Sequence, residues 1–516
     1  MANKPKFVKT HEQHTESEES REAHSEWSRR AFLRTSAAGA ALLMGVGCAP
    51  DEEALKAEEE RKKKLAEEAK RKAREKVCKA EQIKDNAKEV AFTIDDIKQD
   101  DTAFPMGVMA GLMKSSSALL WCFVEDNSPK YLRVWRPSDK KGHIQEVMFK
   151  KVTPKEGYFH IPVEGLAPGK RYHYAFLAGD GKSFSSRSRM GSFTTAFAQD
   201  CVQPLTIAAT ACTNVKRFPT FKALQLSAKK DVDLFCHMGD MSYNDGATTK
   251  PQYRAKWRKT LQAPGYPELL AHTGFYSTWD DHETVDNSKL YDVPESLRKM
   301  GRERYLEAIP QHRDKNDRFW TSFRWGKSVE FFVLDCRGER IPDKKIYISQ
   351  EQMDWCKKAL KESPCHFKVL LNSVPIIQFP EIWKVVIGDR WQGYEAQRNE
   401  LLDFITNEKL KNVWFLGGDY HLGVVARLEK EGARSNLWEI MAGPGGNIPP
   451  KILLSVIESL GDDLELLAPK EQFDLFRVAP SATFITFDPI QDHVRIQFVD
   501  PDTEKVVYDK TIQQTS

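Results

Sequence analysis

The chain has 516 residues, 41% of them hydrophobic and 29% charged, enough apolar material for a large core and for about three domains of ordinary size. Lysine and arginine number 77 against 74 acidic residues, and this balance of +3 excludes a generally basic nucleic-acid binder, so no nucleic-acid-binding domain is expected. No apolar run reaches the roughly 18 residues of a membrane-spanning helix.

Residues 1–48 read as an export signal. Ser28-Arg29-Arg30-Ala31-Phe32-Leu33-Arg34 precedes a short apolar run rich in Ala and Gly, Ala37 to Gly47. Two arginines ahead of a run too short to span a bilayer are the pattern of a twin-arginine leader, which makes the twin-arginine translocon an expected partner during export. Gly45-Val46-Gly47-Cys48 resembles a lipoprotein box, with Gly45 where such boxes carry Leu. That resemblance implies lipidation at Cys48 and a periplasmic or cell-surface, membrane-anchored protein. An ordinary export signal with a weakly marked cleavage site is the other reading. Residues 49–90 read as a charged helical spacer. Between 51 and 76, ten basic and nine acidic residues favour helix through ion pairs but offer almost no apolar face. Nine cysteines are scattered along the chain with no C-x-x-C pair, so zinc-ribbon and thioredoxin motifs are absent and the pairing is left open.

From 104 to 198 the pattern is one of short strands. Ala118 to Val124 is apolar, and Tyr131 to Trp135 alternates. Leu166 leads into a Pro168-Gly169 turn, after which Tyr172, Tyr174 and Phe176 share a face. Strands of this length, with regular turns, predict an antiparallel sandwich, and the wording around Leu166 to Tyr174 resembles fibronectin type III domains. Nothing in this stretch is catalytic in character.

From 203 to 510 apolar runs alternate with helical stretches, which predicts a layered α+β or α/β domain. The polar residues that follow each run are the informative ones. Leu205–Ala209 leads to Cys212; Val232–Met238 to Asp240 and Tyr243; Phe275–Trp279 to Asp280, Asp281 and His282. Phe367–Leu371 leads to Asn372, and Val413–Leu416 to Asp419 and His421. Ligands gather beyond the carboxyl ends of strands in such sheets, so five strands would deliver a thiol, a phenol, carboxylates and imidazoles to one edge. That set suits a cluster of metal ions. Ala482–Phe487 and His493–Val499 read as a closing β-hairpin.

The ordered set Cys212, Gly239-Asp240-x-x-Tyr243, Trp279-Asp280-Asp281-His282-Glu283, Asn372 and Gly418-Asp419-x-His421 resembles the PhoD family of alkaline phosphatases and phosphodiesterases, among the calcineurin-like metallophosphoesterases. Leu334–Arg337 and Trp391–Arg398 match further family phrases, so the resemblance runs from about 104 to 500. It implies a four-layer αββα sandwich preceded by a small all-β, fibronectin- or immunoglobulin-like domain. It implies a ferric ion (Fe3+) on Cys212, Asp240, Tyr243 and His421. Calcium (Ca2+) would sit on Asp281 and Asp419, with Asn287 a weaker ligand and Asp240 bridging; Mn2+, Mg2+ or Zn2+ are alternatives for the second ion. His282 would face the leaving group or the phosphate, with Asp240 and Asp281 completing the catalytic set. The implied reaction is hydrolysis of phosphomonoesters or phosphodiesters by a metal-activated water. The chemistry agrees: two adjacent cations clamp a phosphoryl oxygen, activate water and stabilise an in-line transition state.

Family members often hold the phosphate with Gln or Arg just after the cysteine. Here Asn214 takes that slot, with Lys216 or Arg217 substituting. Trp391 and Tyr394 read as lining the substrate pocket or, alternatively, as a packed loop, and Gly443–Gly446 as a turn near the site. Asp335 and Arg337 read as an internal support pair, and Cys236 and His237 as core. The competing reading is a non-catalytic envelope binding or structural protein with a vestigial metal site.

Overall fold

Three parallel strands occupy the middle of a nine-stranded sheet: β1 (Leu205–Thr210), β2 (Leu234–Met238) and β3 (Gly274–Thr278). A seven-stranded sheet holds four more parallel strands in order, β4 (Val329–Val333), β5 (Phe367–Leu371), β6 (Val413–Gly417) and β7 (Trp438–Met441). The computed structural model describes Arg61 and residues 85–285, 292–311, 318–460 and 464–513. The twin-arginine leader, Cys48, most of the charged spacer and Asn287 lie outside these residues. No helix among the described residues is long and apolar enough to cross a membrane.

Strands of this kind are apolar on both faces because both faces are covered. Alternate residues of each strand therefore sort into different layers. Leu234, Cys236 and Met238 of β2 join Phe367, Val369 and Leu371 of β5 in one core between the sheets. Phe235 belongs instead to a core with Leu224, Trp257 and Leu269, supplied by the helices Lys222–Ala228, α1 (Lys250–Gln262) and Tyr266–His272. Leu370 joins Met353, Leu360 and Leu401 from the helices Gln350–Glu362 and Glu395–Asn407. The order is helix, sheet, sheet, helix. Ala482–Asp488 pairs antiparallel with both β1 and His493–Val499, so the expected C-terminal hairpin forms on one flank of the first sheet, where Val506–Ile512 adds the edge strand.

Between residues 85 and 200 the chain is built of strands without an α-helix. Six strands form a third sheet, in which His143–Val152, Lys130–Pro137 and Arg171–Gly179 are central. Tyr172, Tyr174 and Phe176 are buried on its inner face. The remaining three strands, Val108–Gly111, Ser117–Phe123 and Tyr158–Glu164, extend the nine-stranded sheet beyond β3. The junction is the parallel pairing of Gly111 with Phe275. A side chain at Gly111 would meet the Pro310 carbonyl at 2.2 Å, so only glycine lets the backbones approach there. The two stretches separated in sequence at about residue 200 thus share a hydrogen-bonded sheet. Cys201, at the crossing, is disulfide-bonded, whereas the other described cysteines are free and buried.

The second sheet also holds a buried acid with a stability consequence. Glu439 of β7 accepts hydrogen bonds from the amides of Ile376 and Ile377, with Oε2 at 3.0 and 2.8 Å. Burial outweighs these bonds and pushes its pKa up to about 8. An acid with a raised folded-state pKa stabilises the fold below its unfolded value and loses that contribution as pH climbs through the folded one. Glu439→Gln is therefore expected to gain stability relative to wild type between pH 5 and 8, by up to about 1.4 kcal/mol per pH unit. Melting temperatures at the two pH values check this; a constant offset between the proteins would refute it.

Candidate metal centre

The parallel strands bring their C-terminal ends to one edge. Cys212 lies two residues beyond β1, Asp240 two beyond β2, and Asp419 and His421 two and four beyond β6. Asp280, Asp281 and His282 follow β3 in the same way. The backbone turns inward sharply at these points. Cys212, Asp240, Asp419 and His421 all adopt left-handed conformations, with φ of 56°, 57°, 67° and 56°. Non-glycine residues avoid this region unless the surroundings enforce it, and such strain clusters at functional sites. Gly239 adds a φ of 96°, and a side chain on it would collide with Cβ of Asp280 at 2.6 Å.

Ligand atoms of Cys212, Asp240 and His421 lie within 4.8 Å of one another, as do those of Asp240, Asp280, Asp281 and Asp419, and those of Asp240, Asp281 and His282. Asp240 is common to all three groups. Tyr243 joins the first: its hydroxyl donates to Asp240 Oδ2 at 3.3 Å and stands 3.4 Å from His421 Nε2. His421 Nδ1 lies 3.0 Å from the Ile448 carbonyl. A proton placed there leaves Nε2 with a lone pair facing the cluster, the orientation a metal-binding imidazole needs.

The electrostatics are those of an anionic cluster short of positive charge. Burial first, and then Asp281, Asp280 and Glu283, drive the Asp240 carboxyl well above its usual range, despite the opposing pull of His282. Burial and Asp389 do the same to Asp419, and burial and the Asp240 charge to the Tyr243 phenol. Asp281 rises to about 7, through burial and Asp280 and against Arg337. Buried carboxylates this close are tolerated when cations stand between them. The donor types also fit: thiol, phenol, imidazole and carboxylate on one side of Asp240, carboxylates alone on the other.

Around these ligands stand residues that the sequence reading did not assign. Glu283, fully buried, accepts from the amides of Asp240 (3.1 Å), Met241 (2.5 Å) and Asp280 (2.8 Å), tying the β2 and β3 loops together. Asn447 donates to the Tyr243 hydroxyl at 2.7 Å and stands 3.1 Å from His421 Nε2. It arrives on the Gly443–Gly446 turn, whose Gly445 and Gly446 amides bond to the carbonyls of Ala211 and Cys212. Asp245 holds His282 Nδ1 at 2.7 Å, and the imidazole lies over the Tyr243 ring with centroids 3.9 Å apart. Asp240, Asp245 and Asp281 overcome burial to raise the His282 pKa to about 11.

Arg337 departs from the expected support pair. Asp335 accepts from the Trp279 indole and the Arg337 amide, while the Arg337 guanidinium points into the cluster. It donates to Asp280 at 2.5 and 2.9 Å and to Asp389 at 2.5 Å, and Nη2 lies 3.4 Å from both Asp281 and Asp419. Against burial, it holds Asp280 down at about 2. Asp280 is thus the counter-ion of Arg337, and Asp281 is left to the cluster.

The expected phosphate-side residues are distributed differently. Asn214 bonds through its amide to the Gly446 carbonyl and through Oδ1 to the Lys216 amide, fixing the loop after Cys212. Arg217 donates to Asn447 Oδ1 at 3.1 Å and to the Ile448 carbonyl at 2.9 Å, on the outer side of the cluster. Tyr394 is a correction. It is 3% exposed and packed in the core with Tyr347 and Trp391. Its segment folds the aromatic rings inward, where apolar contact outweighs the one hydroxyl left without a partner. His237, read as core, is fully buried and pairs with Tyr266 and Thr213 behind the cysteine loop.

Comparison with known proteins bears on the family and the fold. Residues 207–447 match the PhoD-like phosphatase family, and residues 89–197 match the N-terminal domain of PhoD-like phosphatases. Alkaline phosphatase D of Bacillus subtilis (strain 168) is 25% identical over 63% of this chain; the match spans 65% of that relative, just under two thirds of its length. Among solved structures, one of PhoD superposes with a TM-score of 0.66 at 20% identity, covering 80% of this chain and 89% of its own. Purple acid phosphatase PPD1 from yellow lupin (Lupinus luteus) gives 0.55 at 14% identity, covering 79% and 73%. At these identities the structures establish the shared fold.

Proposed function

Because the chain belongs to the PhoD-like phosphatase family, we propose that it is a metal-dependent phosphoesterase acting on phosphomonoesters, phosphodiesters or both. The observation that carries this reading is Asp240, which is shared by a mixed-donor pocket and a carboxylate pocket, as a bridging ligand must be. In our proposal Cys212, Tyr243, Asp240 and His421 hold a ferric ion. Asp240, Asp281 and Asp419 hold calcium, or Mn2+, Mg2+ or Zn2+, with Asn287 in reach by sequence alone. When bound, the two ions supply Lewis-acid charge and lower the pKa of water to make the nucleophile.

The protein groups do the rest. Arg337 locks Asp280 and steadies the carboxylates of Asp281 and Asp419. Asp245 fixes His282 through Nδ1, so a proton passed to the departing alkoxide is carried on Nε2. Asn447 holds the Tyr243 oxygen and the His421 ring in register. We also propose export by the twin-arginine route, with a lipid on Cys48 and residues 104–198 acting as a fibronectin-like positioning module. The disulfide at Cys201 supports export, since such bonds persist in oxidising compartments.

Elemental analysis of the natively exported protein, with a visible spectrum of the same sample, tests the centre. Near-stoichiometric iron with a phenolate or thiolate charge-transfer band is expected. Stripping the metals with a chelator is expected to abolish hydrolysis of an aryl phosphate, and restoring them to recover it. Zinc or manganese alone would overturn the iron assignment, and hydrolysis that survives complete stripping would overturn the function.

A further inference from the structure

A basic cleft of about 920 Å³ lies between the loop after Cys212 and helix α1. Five cationic side chains line it, Lys216, Lys250, Arg254, Arg258 and Lys259, and no carboxylate does. Three of the five are tied down from outside the cleft: Lys250 and Arg254 by Glu156, and Arg258 by Glu125. Lys216 and Lys259 are exposed and make no ion pair among the described residues. Lys256 stands beside them, and after burial it is the charges of Lys216 and Lys259 that hold its pKa below the ordinary lysine range. Five cations lining one cleft, with two of them outside any ion pair among the described residues, mark a surface that favours an anion.

The cleft connects to the metal centre. Lys256 Nζ donates to the Asp245 carbonyl at 2.7 Å, and the Asp245 carboxylate holds His282 at 2.7 Å. Helix α1, which forms one wall of the cleft, is thus tied through Lys256 and Asp245 to the residue proposed to serve the leaving group, and Lys216 on the other wall is four residues beyond Cys212. We propose that this cleft is a second anion subsite, and that the preferred substrates are phosphoesters carrying further phosphate groups on the leaving-group side, such as polyphosphate esters. This rests on the phosphoesterase reading above. An aryl ester with a single phosphate group places nothing in the cleft, whereas a triphosphate would offer its outer phosphates to Lys216 and Lys259.

The test uses the full-length metal-loaded protein and compares p-nitrophenyl phosphate with ATP for wild type, Lys259→Glu and Lys259→Arg. Lys259→Glu is expected to raise KM for ATP about tenfold, leaving the aryl ester within about twofold, because reversing one charge repels only the group that enters the cleft. Lys259→Arg should keep the wild-type preference. The KM for ATP should also rise more steeply with salt than that for the aryl ester. Equal effects on both substrates, or none on ATP, would overturn the subsite. If wild type turns over neither compound, it is the phosphoesterase reading that fails. The subsite is then decided by calorimetric titration with inorganic tripolyphosphate. Binding that Lys259→Glu weakens at least about fivefold sustains it, and equal or absent binding overturns it.

Discussion

Asp240→Asn is expected to lower turnover of an aryl phosphate by on the order of a thousandfold or more, with loss of metal from both sides of the centre. Asp240 belongs to every ligand group, so no other single side chain touches as much of the site. The amide is nearly isosteric, and Asp240 is 1% exposed within a well-tied loop, so the fold should survive. It should even melt higher without metal, because the exchange removes one charge from a crowded anionic cluster. The measurement is kcat with metal content per chain, alongside the melting temperature of stripped protein. Unchanged kcat would sink the assignment of this centre as the catalytic one.

Glu283→Ala is expected to act through the fold rather than the chemistry. Its carboxylate receives backbone amides from both the Asp240 loop and the Asp280 turn. Removing it leaves those donors buried without partners, at about 1–3 kcal/mol each, so a loss of several kcal/mol is expected. Denaturant unfolding gives the loss directly. Glu283→Gln keeps an acceptor and should recover part of it. A variant as stable as wild type would show that the two loops are held by something else.

The fold was legible where the chemistry is local. β1, β2, β3, β5 and β6 announce themselves as apolar runs because both faces are buried, and their polar successors mark the edge where ligands collect. Neighbour choice between strands is not local. Nothing in Val108–Gly111 says that it will pair with β3 rather than with a strand of its own half. The supporting residues were equally hidden. Asn447 is an ordinary asparagine after two glycines, and only the turn beneath it carries it to Tyr243. Arg337 is two residues from Asp335, which suggested a pair, but its long side chain reaches past to Asp280. Tyr394 sits beside Trp391 in a stretch read as pocket lining, and at the start of helix Glu395–Asn407 it is turned inward. The cluster of basic residues in α1 was visible as composition, but without the loop opposite there was no cleft to notice.

The shared sheet governs how this chain can be cut. Strand β3 lies inside the nine-stranded sheet only because Val108–Gly111, Ser117–Phe123 and Tyr158–Glu164 continue it. A truncation that begins near residue 200, where the sequence invites one, would leave β3 as a naked edge and uncover Tyr276 and Met109's partners in the core. Bare strand edges template pairing with other chains, so the shortened protein should precipitate or assemble through β3. The amino-terminal strands are in this sense the intramolecular chaperone of the metal-bearing half, and the two are best inherited, expressed and engineered as one piece.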